Sequence, residues 1–255
     1  MSAFSLARRL RAGETVHTGW CGLGVPIVAE LIARTGFPAV SLDQQHGLYT
    51  MDSTAAGIAA VRMAGAAPIV RVPLGDFAVV SRVLDFGAEG VVAPMINTVE
   101  DARKFAAAAK YPPLGERSSG PLRALLLGNM EIADYIAQAN DNIVTFAMIE
   151  TRQALANLDA ILATPGIDAA FIGPSDLSLA LTEGKTLDPH SKEVDAAVTQ
   201  IGAAAGKAGK IAGAYTANAE RANELAARGF RFLAVASDTA FVRAGTAATF
   251  KALKR

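Results

Sequence analysis

The sequence has very little cysteine and histidine. Cys21 is the only cysteine among 255 residues and the three histidines are scattered, so an intrachain disulfide and a structural zinc cluster are both excluded. The lack of disulfides is typical of a reducing compartment, and we expect a cytoplasmic protein. Aromatic residues are also scarce, at 6%, whereas 51% of the residues are hydrophobic, which indicates a compact globular chain rather than a disordered one.

An excess of charge of either sign is also missing. The chain carries 24 basic and 24 acidic residues, and this balance predicts neither a nucleic-acid partner nor an anionic membrane partner. No run approaches the roughly 18–20 apolar residues that cross a bilayer, and the basic N-terminal stretch lacks the apolar centre of a secretory signal. No glycine-rich nucleotide-binding pattern follows a predicted strand.

Strand-like and helix-like segments alternate along the chain. Eight apolar runs of four to seven residues are typical of parallel strands buried on both faces, and alanine-rich segments with helical spacing separate them. Since no linker interrupts this alternation, we predict an α/β fold with one domain over residues 1–255, a (β/α)8 TIM barrel, with a doubly wound sheet as the alternative. The predicted strands are Val16–Cys21, Ala39–Asp43, Pro68–Val72, Gly90–Pro94, Ile143–Ile149, Ala169–Ile172, Ile211–Tyr215 and Phe232–Ala236.

The connections between these elements carry two further signals. An irregular segment, residues 111–129, follows the fourth predicted helix, and loops of this length usually carry function or subunit contacts. Glycines shortly before the next strand predict where helices end. These glycines are Gly36, Gly65, Gly87, Gly209 and Gly229.

Ionisable side chains cluster where the predicted strands end. Asp43 and His46 come at the end of the second strand, and Arg71 lies in the third. Glu150 follows the fifth strand, and Asp176 comes shortly after the sixth. Active sites of TIM barrels are built at these carboxyl ends, and unpaired charges are rarely buried. We therefore predict that these side chains converge at the mouth of the barrel.

Glu150 and Asp176 form the predicted metal site. Two carboxylates on neighbouring strand ends, with no lysine or imidazole beside them, suit a hard divalent cation that keeps waters and takes substrate oxygens. Each acid also has a structural alternative. Glu150 precedes Thr151 at the start of a helix, and Asp176 falls in the first turn of another, where the helix dipole favours an acid.

The turn after the sixth strand predicts an anion site. In FIGPSDLS a glycine and a proline turn the chain into a helix that starts near Ser175. The free backbone N–H groups of Ser175 and Asp176 can then hold a carboxylate or a phosphate, and Gly173 lets the backbone approach the ligand. An ordinary strand-to-helix turn is the alternative.

Arg71 and His46 are the candidates for charge stabilisation and proton transfer. Arg71 interrupts an apolar strand, so its guanidinium must be paired or must face the open mouth, where it can bind a carboxylate or a developing oxyanion. A structural salt bridge with Asp43 is the alternative. His46 is the only histidine at a strand end, with a satisfied structural residue as its alternative. His17 and His190 are expected to be structural or exposed.

Lysine is absent from the ends of the predicted strands. A Schiff-base mechanism therefore has no obvious nucleophile. The lysines lie instead in helices, loops or the C-terminal segment, at Lys104, Lys110, Lys185, Lys192, Lys207, Lys210, Lys251 and Lys254.

Several motifs follow one another in a distinctive order. D-x-x-H-G comes first, then R-V-P, then APMINTVEDARKFAAAAKYPPLGER, then IET, and finally FIGPSDLS. Together they resemble the HpcH/HpaI family of class II, metal-dependent pyruvate aldolases, over about residues 16 to 245. The resemblance implies a TIM barrel and a homo-hexamer built as a trimer of dimers. It also implies that the last helix, TAFVRAGTAATFKALKR, is exchanged between neighbouring subunits.

The resemblance implies a cofactor and its ligands. The family's metal ligands match Glu150 and Asp176, and its loop for the pyruvate carboxylate matches Gly173, Pro174 and Ser175. Mg²⁺ or Mn²⁺ suits two carboxylates best, and Co²⁺ or Zn²⁺ are further candidates.

The resemblance also assigns the catalytic residues. The family's base matches His46, the acid that orients this base matches Asp85, and the arginine that stabilises the enolate matches Arg71. By its position alone, Asp85 reads as an exposed acid near a helix end. Asp43 and Gln45 are expected to support His46.

Three positions depart from the family pattern. Gln45 stands where several relatives have Glu, which changes the hydrogen bonding around the neighbouring histidine. Met148 replaces a polar residue near the pyruvate site, and Tyr215 stands where a relative has an apolar residue on the acceptor side. We expect these changes to affect the choice of acceptor rather than the metal and pyruvate chemistry.

The implied reaction is the reversible cleavage of a 4-hydroxy-2-oxo acid, such as a 2-keto-3-deoxy sugar acid, into pyruvate or hydroxypyruvate and an aldehyde. Two alternatives stay open. One is a citrate-lyase-like enzyme that acts on an acyl-CoA ester, and the other is a non-catalytic barrel that binds a sugar acid.

Overall fold

Eight parallel strands close into a barrel in the computed structural model, which describes residues 4–253. Each strand pairs with the next along the chain, and the last strand pairs with the first. The predicted TIM barrel is thereby confirmed, and the doubly wound alternative is wrong. The strands are β1 (Val16–Cys21), β2 (Ala39–Asp43), β3 (Ala67–Arg71), β4 (Gly90–Ala93), β5 (Val144–Met148), β6 (Ala169–Ile172), β7 (Ile211–Thr216) and β8 (Phe232–Ser237).

Helices surround the barrel and run antiparallel to the strands. The five glycines predicted to end helices all have positive φ, between 65° and 112°, which favours glycine. No helix among residues 4–253 is long and apolar enough to cross a membrane. The helices are α1 (Leu6–Arg11), α2 (Pro26–Arg34), α3 (Met51–Met63), α4 (Phe77–Asp85), α5 (Val99–Ala109), α6 (Leu122–Gly128), α7 (Ile132–Asn142), α8 (Arg152–Ala156), α9 (Leu158–Leu162), α10 (Pro174–Leu181), α11 (Lys192–Lys207), α12 (Ala219–Ala227) and α13 (Asp238–Ala252).

The barrel interior is filled by side chains from alternate strand positions. Phe146, Phe171 and Phe232 pack against one another there, with ring centroids 4.4–6.4 Å apart. Helix α1 closes the N-terminal end of the barrel, where Leu6 and Leu10 join this inner cluster. The opposite end stays open, so the carboxyl ends of the strands surround a solvent-accessible mouth.

The segment 111–129 lies at the closed end of the barrel, away from the mouth. It contains the short helix α6, and its buried Arg117 donates to Asp85 at the end of α4, at 2.6 Å. Because α4 and α5 both run away from the mouth, the segment that follows α5 starts at the closed end. The function or subunit contacts expected of the segment 111–129 stay a prediction.

Lys110, the residue after α5, is buried at the closed end of the barrel. Its Nζ donates to the carbonyl oxygens of Asn140 and Ile143 at 2.9 and 2.7 Å, and to the carboxylate of Asp168 at 2.7 Å. Burial lowers the pKa of Lys110, and the charge of Asp168 opposes this shift. All three N–H bonds of the ammonium group are therefore occupied at the closed end, far from the mouth.

Replacing Lys110 with Met should destabilise the fold by about 3 kcal/mol, because it leaves Asp168 and two carbonyl oxygens without their buried partner. The free energy of unfolding from urea denaturation measures this loss. Lys104→Met on α5 is the matched control, since Lys104 is exposed and should cost less than about 0.5 kcal/mol. Equal stabilities of the two variants would contradict the structural role of Lys110.

Candidate active site

A cavity of about 230 Å³ opens at the mouth of the barrel. The side chains that converge on it come from the ends of β1, β2, β3, β5, β6 and β7, as the barrel topology requires. Trp20 and Phe171 also line this cavity. It brings together eight of the residues predicted from sequence: His46, Arg71, Met148, Gly173, Pro174, Ser175, Asp176 and Tyr215.

Glu150 lies buried just after β5, with one carboxylate oxygen left without a partner. Its Oε1 accepts a hydrogen bond from the backbone N–H of Met95 at 2.8 Å. Its Oε2 is buried and has no hydrogen-bond partner among the described residues. Burial raises the pKa of Glu150 to about 7 despite the Met95 hydrogen bond, and the negative charge of Asp176 adds to the rise. A buried carboxylate oxygen without a donor is costly unless a cation or proton meets it.

Gly173 keeps the space beside this oxygen free. A Cβ at position 173 would lie 2.2 Å from Oε2 of Glu150 and 2.9 Å from the terminal methyl group of Met148. A side chain at position 173 would therefore displace the Glu150 carboxylate or the Met148 methyl group. Asp176 follows in the first turn of α10, exposed to the cavity.

The residues at this position fit a divalent cation. Glu150 supplies an orphaned oxygen, Asp176 a second carboxylate, and both are hard ligands of the type that Mg²⁺ and Mn²⁺ prefer. Within residues 4–253, no group of three or more His, Cys, Asp or Glu side chains is arranged to hold a metal ion. A cation here would take its other ligands from water and substrate.

The structural alternative for Glu150 does not account for its position. The side chain of Thr151 itself caps α8, where it accepts a hydrogen bond from the N–H of Ala154. The Glu150 carboxylate points instead to Met95 and the space next to Gly173. Helix capping therefore leaves the burial of Glu150 unexplained.

Arg71 forms the salt bridge with Asp43 that was the structural alternative for this residue. It also lines the cavity. Its Nε and Nη2 donate to the two carboxylate oxygens of Asp43 at 2.9 and 2.6 Å. Trp20 donates from Nε1 to the same carboxylate at 3.3 Å, and its ring centroid lies 5.0 Å from the guanidinium. Burial acts to raise the pKa of Asp43, but the Arg71 guanidinium outweighs it and holds this pKa below its usual value. Asp43 thus fixes the arginine at the cavity wall.

The loop that carries His46 turns around the same carboxylate. Oδ1 of Asp43 accepts hydrogen bonds from the backbone N–H groups of Gln45 and His46, at 3.0 and 3.3 Å. A Cβ at Gly47 would lie 2.2 Å from the carbonyl oxygen of Asp43, so the tight turn requires glycine. The imidazole of His46 is exposed at the cavity, and its ring has no hydrogen bond to another described residue. Gln45 supports the turn through its backbone, while its buried Oε1 has no partner among the residues described.

Asp85 is not brought to His46 within one chain. Helix α4 carries it to the closed end of the barrel, where its carboxylate accepts from Nη2 of Arg117 at 2.6 Å. This position has a simple cause: residues at the C-terminal end of a barrel helix lie beside the start of the next strand, not at the mouth. The role of Asp85 stays a prediction.

Sequence reasoning missed three residues of this site. Trp20 and Phe171 line the cavity, and Met95 holds Glu150 through its backbone N–H. Trp20 lies at the end of β1, where the same reading of strand ends would have found it. Met95 has a positive φ of 54°, an unusual conformation for this residue type, and a backbone contact of this kind leaves no signal in residue identity.

Part of the cavity wall is aromatic. The rings of Trp20 and Tyr215 meet edge to face with centroids 5.8 Å apart, and Trp20 stacks on Phe171 at 5.9 Å. Tyr215 is half-buried, and its phenol is the polar group of this wall. The cavity is thus lined by charged side chains, Asp176 and Arg71, and by an aromatic group, Trp20, Phe171 and Tyr215.

Comparison with known proteins agrees with this arrangement. The family model described as HpcH/HpaI aldolase/citrate lyase matches residues 19–244. A hydroxypyruvate/pyruvate aldolase from Rhizorhabdus wittichii is 39% identical, covering 91% of each chain. A 2-keto-3-deoxy-L-rhamnonate aldolase from Klebsiella pneumoniae is 35% identical over 91% of this chain and 86% of its own. The crystal structure of an HpcH/HpaI aldolase from Desulfitobacterium hafniense superposes with a TM-score of 0.90 at 31% identity, covering 98% of each chain.

These relatives match nearly the whole length of the chain, and their shared chemistry is aldol cleavage, so the non-catalytic alternative is not supported. The chain belongs to the HpcH/HpaI aldolase/citrate lyase family and is a carbon–carbon lyase.

Proposed function

We propose that the protein reversibly cleaves a 4-hydroxy-2-oxo acid into pyruvate or hydroxypyruvate and an aldehyde. The observation that carries this proposal is the unpartnered Oε2 of Glu150, which is buried behind Gly173 at the wall of a cavity lined by Asp176, Arg71 and His46. The relatives named hydroxypyruvate/pyruvate aldolase and 2-keto-3-deoxy-L-rhamnonate aldolase support the substrate class.

Glu150 and Asp176 would hold the divalent cation, with Mg²⁺ or Mn²⁺ preferred to Co²⁺ or Zn²⁺. When bound, this cation supplies a Lewis acid for the oxygens of a 2-oxo acid. The residues at the start of α10, Gly173 to Ser175, orient the substrate carboxylate, since a helix N-terminus presents free N–H groups to an anion.

Arg71 and His46 act on the reacting atoms. The guanidinium of Arg71, fixed by Asp43, faces the negative charge that develops on the keto oxygen as the C3–C4 bond breaks. His46 accepts the proton of the C4 hydroxyl during cleavage and returns it during synthesis, directly or through a water. The aldehyde leaves along the aromatic side of the cavity, past Trp20 and Tyr215.

The assignment of Asp85 as the partner of His46 requires a second copy of the chain. Within one chain Asp85 lies at the closed end of the barrel, paired with Arg117. Helix α13 is exposed along most of its length and presents Val242, Phe250 and Leu253, which are 52%, 63% and 63% exposed. We include a homo-hexamer with exchanged C-terminal helices in the proposal, since association would cover these apolar side chains.

Removal of the metal should abolish cleavage. We expect pyruvate release from a panel of 4-hydroxy-2-oxo acids to fall more than about 100-fold after chelation, and to return with Mg²⁺ or Mn²⁺. Borohydride treatment in the presence of pyruvate should leave activity intact, because no lysine among residues 4–253 lines the cavity. Full release after rigorous chelation would refute the proposed function. Release from CoA thioesters instead of oxo acids would favour the acyl-CoA lyase.

His46→Asn should lower the cleavage rate by about 10²–10⁴-fold, the usual contribution of a general base. Mn²⁺ binding, measured by electron paramagnetic resonance, should be unchanged because His46 is not a proposed ligand. His17→Asn provides the control, since His17 lies near the start of β1, at the end of the barrel away from the mouth, and its replacement should leave the rate unchanged. Near-normal cleavage by the His46 variant would show that another group moves the proton.

Tyr215→Phe should alter the choice of aldehyde and leave the pyruvate side intact. Loss of the phenol should lower kcat/KM for hydroxyaldehydes about 3–10-fold relative to unsubstituted aldehydes, the size of one hydrogen bond. Exchange of the pyruvate methyl protons in D₂O, followed by NMR, should be unaffected. An equal loss for both aldehyde classes would place Tyr215 outside acceptor recognition.

A further inference from the structure

A second cavity, of about 410 Å³, lies at the closed end of the barrel, opposite the candidate active site. It forms where three neighbouring strands begin. Asp168 directly precedes β6, Lys210 precedes β7 and Arg231 precedes β8, so the sheet registers place them side by side. Arg11, at the end of α1, lines the same cavity from the helix that closes this end of the barrel.

Two of these cations have no carboxylate partner. Lys210 donates from Nζ to the carbonyl oxygen of Ile167 at 2.6 Å, and Arg231 donates from Nη1 to those of Ala226 and Phe230 at 3.1 and 3.0 Å. Within residues 4–253, neither forms a salt bridge, and Nε and Nη2 of Arg231 have no hydrogen-bond partner. Two of the three guanidinium nitrogens of Arg231, Nε and Nη2, are therefore free to bind a ligand.

The one acid at the cavity is already neutralised. Oδ2 of Asp168 accepts from the buried Nζ of Lys110 at 2.7 Å and from the N–H and hydroxyl of Thr145 at 3.0 Å. Nη2 of Arg11 lies 3.9 Å from its other oxygen, at the limit of an ion pair, and Nη1 of Arg11 donates to the carbonyl oxygen of Asp141 at 2.6 Å. Since Lys110 balances Asp168, the cavity keeps an excess of positive charge in a chain whose formal net charge is zero.

Glycines leave the entrance of the cavity open. Gly206, Gly209 and Gly229 line it, and a Cβ built at any of them would meet nothing within 4 Å. A ligand can therefore approach the backbone of two turns, between α11 and β7 and between α12 and β8. The volume is within the range of small-molecule sites, about 300–1,000 Å³.

We propose that this cavity binds a compact anion bearing phosphate, of the size of a diphosphate or a small phosphorylated metabolite. Two guanidinium groups and one ammonium group match phosphate oxygens, which arginine binds through paired N–H groups. The ligand is not a substrate of the aldol reaction, because the cavity lies at the opposite end of the barrel from Glu150 and Asp176. It therefore constitutes a second site that is independent of the proposed function.

The competing explanation is structural, since Lys210 and Arg231 also donate to carbonyl oxygens at the ends of loops and helices. Lys210→Gln and Arg231→Gln separate the two roles. Glutamine can keep a hydrogen bond to the same carbonyl oxygen but carries no charge. Lys192→Gln, at the other end of α11, is the matched control, because it removes one exposed charge that does not line the cavity.

The test is isothermal titration of the full-length protein with inorganic pyrophosphate in metal-free, low-salt buffer. We expect one site per chain, an affinity that falls as NaCl rises, and about a 10-fold or greater loss of affinity in Lys210→Gln and in Arg231→Gln. Lys192→Gln should bind as the wild type does. All three variants should retain wild-type aldol cleavage, so a failure of this site is distinguishable from a failure of the proposed function.

Two results would overturn the proposal. One is the absence of binding at millimolar pyrophosphate. The other is binding that both glutamine variants retain in full, because this would place the anion elsewhere, for example at the start of α10.

Discussion

The site depends on one buried carboxylate oxygen. Oε2 of Glu150 is enclosed by the barrel, has no donor among the described residues, and faces the negative charge of Asp176. Such an arrangement destabilises the ionised form of Glu150, and this cost has to be offset by a bound cation or by a proton on the carboxylate. A cation held by Glu150 and Asp176 would remove this penalty, and Gly173 keeps space free beside Glu150, since a Cβ at position 173 would lie 2.2 Å from Oε2.

The barrel places the other residues of the candidate site around Glu150. The end of β5 positions Glu150, the turn after β6 positions Asp176 and the start of α10, and β3 positions Arg71. Asp43 fixes the guanidinium with two hydrogen bonds and turns the histidine loop with two more. One acid thus orients both groups proposed to act on the substrate, which explains how Arg71 can make a salt bridge and still line the cavity.

Sequence patterns predict the barrel well and the site in part. Apolar runs separated by helical segments reveal the parallel strands, and reading their carboxyl ends finds Asp43, His46, Arg71, Glu150 and Asp176, because the fold brings all such ends to one rim. Contacts made through the backbone, such as that of Met95, carry no signal in residue type. The position of Asp85 shows the same limit: a resemblance assigns the residue a role, but the path of α4 decides what it meets within one chain, which is Arg117.

Crystals grown with Mn²⁺ and pyruvate test the central claim most directly, because anomalous scattering locates the metal without reference to activity. The account predicts a peak within bonding distance of both Glu150 Oε2 and the Asp176 carboxylate, with pyruvate oxygens completing its coordination and Arg71 beside the keto oxygen. A peak elsewhere, or carboxylates of Glu150 and Asp176 that turn away from a common ion, would contradict it.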